Sequence, residues 1–147
     1  MLGNFNESAQ FVLLKAKEEM IDLNHPYIGT EHLLLSLLKN DSDISKKLVG
    51  YGLSYDIFKG EILKIIGKGT KQSKLFLYTP LLKKVIENSL LDAKDNNGGE
   101  VTNSHLLAAL LEIGEGIAIR ILVGMGINVD ELYEEFLKYC KEYEPDL

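Results

Sequence analysis

The sequence predicts an all-α protein made by tandem duplication of a four-helix repeat, with about eight helices and pseudo-two-fold symmetry. The first observation is internal similarity, because residues 5–64 align with residues 78–138. The offset is 73, so that His32-Leu33-Leu34 falls on His105-Leu106-Leu107, and it becomes 74 after a loop near Ile44 and Ile117. The second observation is that apolar residues recur three or four positions apart, which is the period of a helix. No run of alternating β-branched residues predicts a strand.

The first helix of each block carries one apolar stripe and has a recognisable start. Asn6 is a good N-cap in block one. Thr79 followed by Pro80 starts the equivalent helix, because proline at the first helical position loses no hydrogen bond. The breaks are Asn24-His25-Pro26 and Asn96-Asn97-Gly98-Gly99. The stripes include Ala9, Val12, Leu13, Ala16 and Met20 in one block and Leu82, Val85, Ile86 and Ala93 in the other.

The same signals predict three further helices in each block. The second helices begin at Thr30 and Asn103, which we interpret as N-caps, and their many leucines predict central, buried elements. Short third helices are predicted at about 44–51 and 117–125, and fourth helices after the caps Ser54 and Asn128. We predict one domain over 1–147, with repeat one at 5–66, a polar linker at 67–77 and repeat two at 78–143.

Composition and charge narrow the function classes. The net charge is −6 and the lysines are scattered, which disfavours nucleic-acid binding. No apolar run approaches the roughly 18 residues of a membrane span, and no signal peptide is evident, so we expect neither membrane nor export. A single cysteine, Cys140, makes the reducing cytoplasm the expected location. A zinc site from His32, His105 and Cys140 is disfavoured, because structural zinc draws paired ligands from short local spacings.

Signatures of the common enzyme classes are missing. A phosphate-binding loop has the order G-x-x-x-x-G-K-[ST]; around Gly67-Lys68, Ile62 stands in place of the first glycine and Gly69 in place of the hydroxyl residue. The sequence contains no Gly-x-Ser-x-Gly, His-Glu-x-x-His or Cys-x-x-Cys. We therefore predict no catalytic residue, no cofactor and no metal.

Three segments carry a family resemblance. They are Phe5-Asn6-Glu7-Ser8-Ala9-Gln10, Ile28-Gly29-Thr30-Glu31-His32-Leu33-Leu34-Leu35 and Tyr78-Thr79-Pro80. Together they resemble the N-terminal repeat domain of the Clp family of AAA+ protein unfoldases, most closely the ClpC branch, over essentially the whole chain. The resemblance implies two pseudo-symmetric four-helix repeats that dock adaptor proteins and protein substrates and pass them to an ATP-driven ring.

For the ClpC branch, the resemblance also implies recognition of phosphorylated arginine, with one site per repeat. A helix N-terminus attracts the phosphoryl group, and a nearby carboxylate accepts hydrogen bonds from the guanidinium. Repeat one keeps Glu31 but has Asn6 in place of threonine, whereas repeat two keeps Thr79 but has Ser104 in place of glutamate. We therefore expect a weakened site around Asn6 and Glu31 and a vestigial one around Thr79 and Ser104. The alternative is that these residues only cap helices or complement the helix dipole.

Two aromatic residues precede equivalent helices. Phe5 and Tyr78 are either an exposed apolar patch for partner binding or lids on the core. The expected function is adaptor and substrate recognition for a ClpC-like unfoldase, with a ClpP-type protease contacted only through the ATPase region. The alternative is a free-standing protein-binding regulator without an attached ATPase. The isolated domain is expected to be a monomer.

Overall fold

The computed structural model describes residues 4–71, 74–96 and 98–142, without the side chains of residues 96, 141 and 142. Parts of the predicted linker (72–73), Asn97 of the predicted turn, and the end of predicted repeat two (143) lie outside the described residues. The described residues form eight helices: α1 (Glu7–Asp22), α2 (Thr30–Lys39), α3 (Asp43–Gly50), α4 (Tyr55–Ile65), α5 (Pro80–Asn96), α6 (Asn103–Glu112), α7 (Ile117–Gly124) and α8 (Val129–Glu142). The predicted all-α class is confirmed.

Four of the predicted helix caps are confirmed by their hydrogen bonds. In each case the side-chain oxygen accepts a hydrogen bond from the backbone N–H three residues further along, which satisfies one of the free amides of the first turn. The donor–acceptor distances are 2.8 Å at Asn6, 3.3 Å at Ser54, 3.1 Å at Thr79 and 3.1 Å at Asn128.

The interpretation of Thr30 and Asn103 as caps is wrong by one position. Both are the first residues inside their helices, and the N-caps are Gly29 and Thr102. The reason is that a histidine closes each turn: the backbone N–H of Gly29 donates to Nδ1 of His32 at 2.9 Å. The N–H of Thr102 donates to Nδ1 of His105 at 3.1 Å. The repeated histidines thus have a capping role that the sequence patterns did not indicate.

The two central helices lie in the middle of the core, as predicted. Every residue of α2 from Thr30 to Leu38 and of α6 from Asn103 to Leu111 is buried. Helix α1 packs on α2, while α5 and α8 pack on α6. The hydroxyl of Ser36 donates to the carbonyl of Val12 at 2.6 Å, so this buried polar group is satisfied. None of the helices among the described residues has the length and apolar character needed to cross a membrane.

Two isolated parallel bridges connect the halves of the chain and show their pseudo-symmetry. Phe5 pairs with Val101, and Ile28 pairs with Tyr78. The offset of 73 maps each of these pairs onto the other in the sequence. The segment before α1 therefore lies beside the segment before α6, and the segment before α5 lies beside the segment before α2. The stated repeat boundaries remain a prediction.

Candidate functional site

The crossed bridges decide which of the predicted site residues come together. The backbone N–H of Asn6 donates to the carbonyl of Val101 at 2.9 Å, and Asn6 and Ser104 line one cavity. The N–H of Thr79 donates to the carbonyl of Ile28 at 2.9 Å, just ahead of Glu31. The expected pairing of Asn6 with Glu31 and of Thr79 with Ser104 took both members of each site from one repeat. These bonds instead bring Asn6 to the segment before α6 and Thr79 to the segment before α2. The binding role of the four residues stays a prediction.

The first of these places, which we name the α1–α6 junction, is an open cavity of about 350 Å³. The first turns of α1, α3 and α6 all contribute to its wall. Because the first-turn amides of a helix lack partners within the helix, three positive helix ends face this space. The lining residues are Asn6, Ser8, Ser42, Asp43, Ile44, Glu100, Thr102, Asn103, Ser104 and Tyr139.

The second place, which we name the α2–α5 junction, is formed by the residues at the starts of α2, α5 and α7. Gly116, the N-cap of α7, lies close to both α5 and α2. A Cβ added to Gly116 would overlap Cδ2 of Leu81 and lie 3.2 Å from Oγ1 of Thr30. Gly116 also has a φ of 100°, in the left-handed region that favours glycine. This junction contains both Thr79 and Glu31. The α1–α6 junction has Asn6 and Ser104 in the equivalent positions.

Glu31 is held inside the protein at the α2–α5 junction. Its side chain is only 6% exposed and folds back over Gly29, where an added Cβ would overlap the carboxylate. Burial raises the pKa of Glu31 above its usual range, although its own backbone N–H and the nearby His25 oppose the rise. A ligand cation at this place would favour the ionised carboxylate and offset part of the burial cost.

A relay of hydrogen bonds connects Gly29 with the first glycine of the linker. His32 accepts from Gly29 through Nδ1, so its proton is on Nε2, which lies 2.9 Å from Nδ1 of His25. Nε2 of His25 then donates to the carbonyl of Gly67 at 2.8 Å. This chain of donors and acceptors uses all four ring nitrogens. Burial, followed by the neighbouring His25, lowers the pKa of His32 to about 3.

The relay also bears on metal binding. Ligand atoms of His25, Glu31 and His32 lie within 4.8 Å of one another, the one such group among the described residues. His32 and His105 are not brought together with Cys140 into a cluster of this kind. In the relay, Nδ1 of His32 already accepts a backbone hydrogen bond, so a metal at Nε2 would require an imidazolate. The donor pattern fits two neutral, hydrogen-bonded histidines better than a metal site.

The predicted aromatic patch is only partly present. Phe5 is 5% exposed and belongs to the core, because its bridge to Val101 holds it against the buried helices. Phe5 is therefore a lid on the core and the exposed-patch interpretation is wrong for it. Tyr78 is half-buried and lines an apolar groove of about 570 Å³. Sequence reasoning missed the exposed members of that groove, which are Phe11, Leu14 and Phe76.

Comparison with known proteins places these features in a family. The sequence profile described as the Clp repeat (R) N-terminal domain matches residues 4–102 and 77–146. The chain is 38% identical over 139 residues to the negative regulator of genetic competence ClpC/MecB of Bacillus subtilis (strain 168). It is 39% identical over 139 residues to the ATP-dependent Clp protease ATP-binding subunit ClpC of Staphylococcus epidermidis (strain ATCC 12228 / FDA PCI 1200). Each match covers 94% of this chain but 17% of the relative.

Solved structures show the same fold. The N-terminal domain of the caseinolytic protease associated chaperone ClpD from Arabidopsis thaliana superposes with a TM-score of 0.81 at 22% identity, covering 96% of this chain and 97% of that one. The ClpV N-domain in complex with VipB peptide gives a TM-score of 0.69 at 23% identity, covering 95% and 88%. With the profile match and the identity to the ClpC subunits, these findings show that the chain belongs to the Clp repeat (R) N-terminal domain family.

Proposed function

We propose that this chain is the adaptor- and substrate-recognition domain of a cytoplasmic ClpC-like unfoldase, and that it binds arginine-phosphorylated client proteins. The chain spans about a sixth of the ClpC relatives, 17% of their length, so the ATPase and any contact with a ClpP-type protease belong to the proposal for the whole protein. A solved ClpV N-domain carries a bound VipB peptide, which supports peptide binding as a use of this fold.

The observation that carries the proposal is the meeting of Thr79 with the segment that leads to Glu31. A phosphoryl group needs free amides and a positive helix end. At the starts of α2 and α5 the candidate amides are those of Thr30 and Leu81, because Pro80 has no N–H and the N–H groups of Glu31 and Leu82 bond to side chains. A guanidinium needs a carboxylate, which Glu31 supplies. The α2–α5 junction therefore combines both features that the ClpC resemblance implies, although the sequence alone assigned them to different sites.

The buried position of Glu31 defines how the ligand must be bound. Its carboxylate lies over Gly29, so a guanidinium has to reach it there or draw it outward. In both cases the poorly solvated carboxylate of Glu31 gains charge-assisted hydrogen bonds from the guanidinium, and such bonds are stronger than those between neutral groups. We therefore place the phosphoryl group at the N-termini of α2 and α5 and the guanidinium at Glu31.

The test is calorimetric titration of the chain with a peptide containing one phosphoarginine. Glu31→Gln should weaken binding by about tenfold or more, because a charge-assisted hydrogen bond contributes roughly 1.5–3 kcal/mol. Glu18→Gln is the matched control, since Glu18 is an exposed glutamate on α1 outside this junction, and it should leave the affinity unchanged. Unchanged affinity in Glu31→Gln, or equal binding of the unphosphorylated peptide, would show that the proposal is wrong.

A further inference from the structure

The backbone conformation of Gly29, the N-cap of α2, does not require a glycine. Its φ of −111° and ψ of −177° are extended values that any residue adopts. The cap of α6, Thr102, has nearly the same backbone, with a φ of −109° and a ψ of 173°. Its hydroxyl accepts a hydrogen bond from a first-turn amide, whereas Gly29 has no side chain to do so. The missing side chain at Gly29 therefore needs another explanation.

The carboxylate of Glu31 fills the space that a side chain at Gly29 would take. The three atoms nearest to a Cβ added at Gly29 are Oε1, Cδ and Oε2 of Glu31, and Oε1 would overlap that Cβ. In repeat two, the residue equivalent to Glu31 is Ser104, which has no carboxylate, and the cap there carries a side chain. The two repeats thus differ at both positions together: the cap without a side chain accompanies the carboxylate that folds over it.

The inward carboxylate of Glu31 uses the helix end that a phosphoryl group would use. It accepts a hydrogen bond from the backbone N–H of Glu31, which is one of the first-turn amides of α2. Its negative charge also lies at the positive end of the helix dipole. Because Glu31 is only 6% exposed, a guanidinium outside has little access to the carboxylate. In this form, the amide and the carboxylate that would hold phosphoarginine are engaged with each other.

We propose that the carboxylate of Glu31 closes the α2–α5 junction as an autoinhibitory contact, that phosphoarginine displaces it, and that Gly29 is the positioning residue that makes room for this closed form. Outward rotation of the Glu31 side chain gives the open form. It frees the N–H of Glu31 for the phosphoryl oxygens and brings the carboxylate to the guanidinium, so one movement completes both halves of the site. Because the inward carboxylate is poorly solvated, a ligand that pairs with it outside has less to overcome. The inference rests on the proposed function and adds a closed form to it.

The first test needs no ligand. Carbodiimide with glycinamide converts accessible carboxyl groups to amides, and mass spectrometry of the digested chain measures the rate at each residue. In the unchanged chain, Glu31 should react at about a tenth of the rate of the exposed Glu18 or more slowly, because a minor open form is populated at roughly 10% or less. In Gly29→Ala the added Cβ excludes the inward carboxylate, so Glu31 should react about tenfold faster. Equal rates at Glu31 in the two chains would overturn the proposal.

The second test is calorimetric titration with the phosphoarginine peptide. Gly29→Ala should raise the affinity about tenfold, because the apparent affinity is proportional to the fraction of the chain in the open form. A substitution that only damaged the cap would not raise the affinity, so a gain distinguishes the two roles of Gly29. Gly60→Ala is the matched control, since its Cβ meets open space in α4, and it should change neither the rate at Glu31 nor the affinity. Unchanged or lower affinity in Gly29→Ala would overturn the proposal.

The two measurements together distinguish this inference from the proposed function. Slow labelling of Glu31 in the unchanged chain and fast labelling in Gly29→Ala, with no binding of the peptide by either, would support the closed form and overturn phosphoarginine as the ligand. Binding of the peptide by the unchanged chain, with Glu31 labelled as fast as Glu18, would overturn the closed form alone. Gly29→Thr, which copies the cap of α6, is the second variant if alanine disturbs the fold, and it should give the same results.

Discussion

His32 is fully buried, and its two ring nitrogens are used in hydrogen bonds that need the neutral ring. Protonation would place a hydrogen on Nδ1, where the backbone N–H of Gly29 already points. It would also place a full charge in a site that water does not reach. The low pKa of His32 is therefore a consequence of the same contacts that cap α2.

Because of this low pKa, the chain should lose stability in mild acid. An unfolded histidine has a pKa of about 6.5, whereas the folded pKa of His32 is about 3. Between these values the unfolded chain binds a proton that the native chain does not, so stability falls as pH falls. The expected contribution of His32 is about 1.4 kcal/mol per pH unit, or about 2 kcal/mol between pH 6.5 and 5. Urea unfolding at several pH values measures it.

The variant His32→Gln isolates this contribution from those of other groups. His105 has a pKa lowered by burial and acts in the same direction, while the raised pKa of Glu31 acts in the opposite one. His32→Gln should be less stable at pH 7 because the relay is broken. Below pH 6.5, however, the slope of its unfolding free energy against pH should be smaller, by the amount that corresponds to about one bound proton. An unchanged slope would mean that His32 is protonated in the folded chain.

At the scale of the elements, one glycine fixes the start of the linker against the end of α1. The N–H of Gly69 donates to the carbonyl of Leu23 at 2.8 Å. A Cβ added to Gly69 would overlap the backbone carbonyl oxygen of Asn24. Asn24 has a φ of 54°, in the left-handed region, and this conformation ends the last turn of α1. A backbone atom held in this way has little freedom to move aside.

Alanine substitutions at two glycines should therefore have opposite effects. Gly69→Ala should destabilise the chain by about 1–3 kcal/mol, the usual cost of forcing an extra group into a packed place. Gly60→Ala is the matched control, because Gly60 lies inside α4 with open space at its Cβ position. It should stabilise by roughly 0.5–1 kcal/mol through helix propensity. Denaturant unfolding compares them, and equal stability would mean that residues near Gly69 shift freely.

The helices were predictable because their signals are local. Asn6, Ser54 and Thr79 act within one turn of their own helices, so neighbouring residues in the sequence were enough to identify them. The starts of α2 and α6 were misassigned as caps by one residue for a physical reason. At α2 the cap is Gly29, which has no capping side chain, and the side chain of His32 closes the turn instead. At α6 the cap is a usual one, threonine, but it is Thr102 and stands one residue before the asparagine that the pattern favoured.

At the scale of the whole molecule, the candidate sites could not be predicted from the order of residues alone. Asn6 and Glu31 belong to one repeat, yet Asn6 lies beside Ser104 of the other. This arrangement depends on the bridges of Phe5 with Val101 and of Ile28 with Tyr78, which join segments far apart in sequence. A repeat pattern identifies equivalent residues, but does not say whether equivalent segments contact their own repeat or exchange with the other.

Because each bridge joins a segment of one repeat to a segment of the other, we expect the two halves to unfold together. Leu34 in α2 and Leu107 in α6 are equivalent, fully buried residues, and α2 contacts α6 directly. Replacement of either by alanine should cost about 2–5 kcal/mol and lower the same single unfolding transition. In hydrogen exchange, Leu34→Ala should reduce the protection of α6 as much as that of α2, because the loss of either half removes the partner segments of the other. Two separate transitions, or loss of protection confined to α1–α4, would show instead that each repeat holds its own fold and that the bridges only connect finished units.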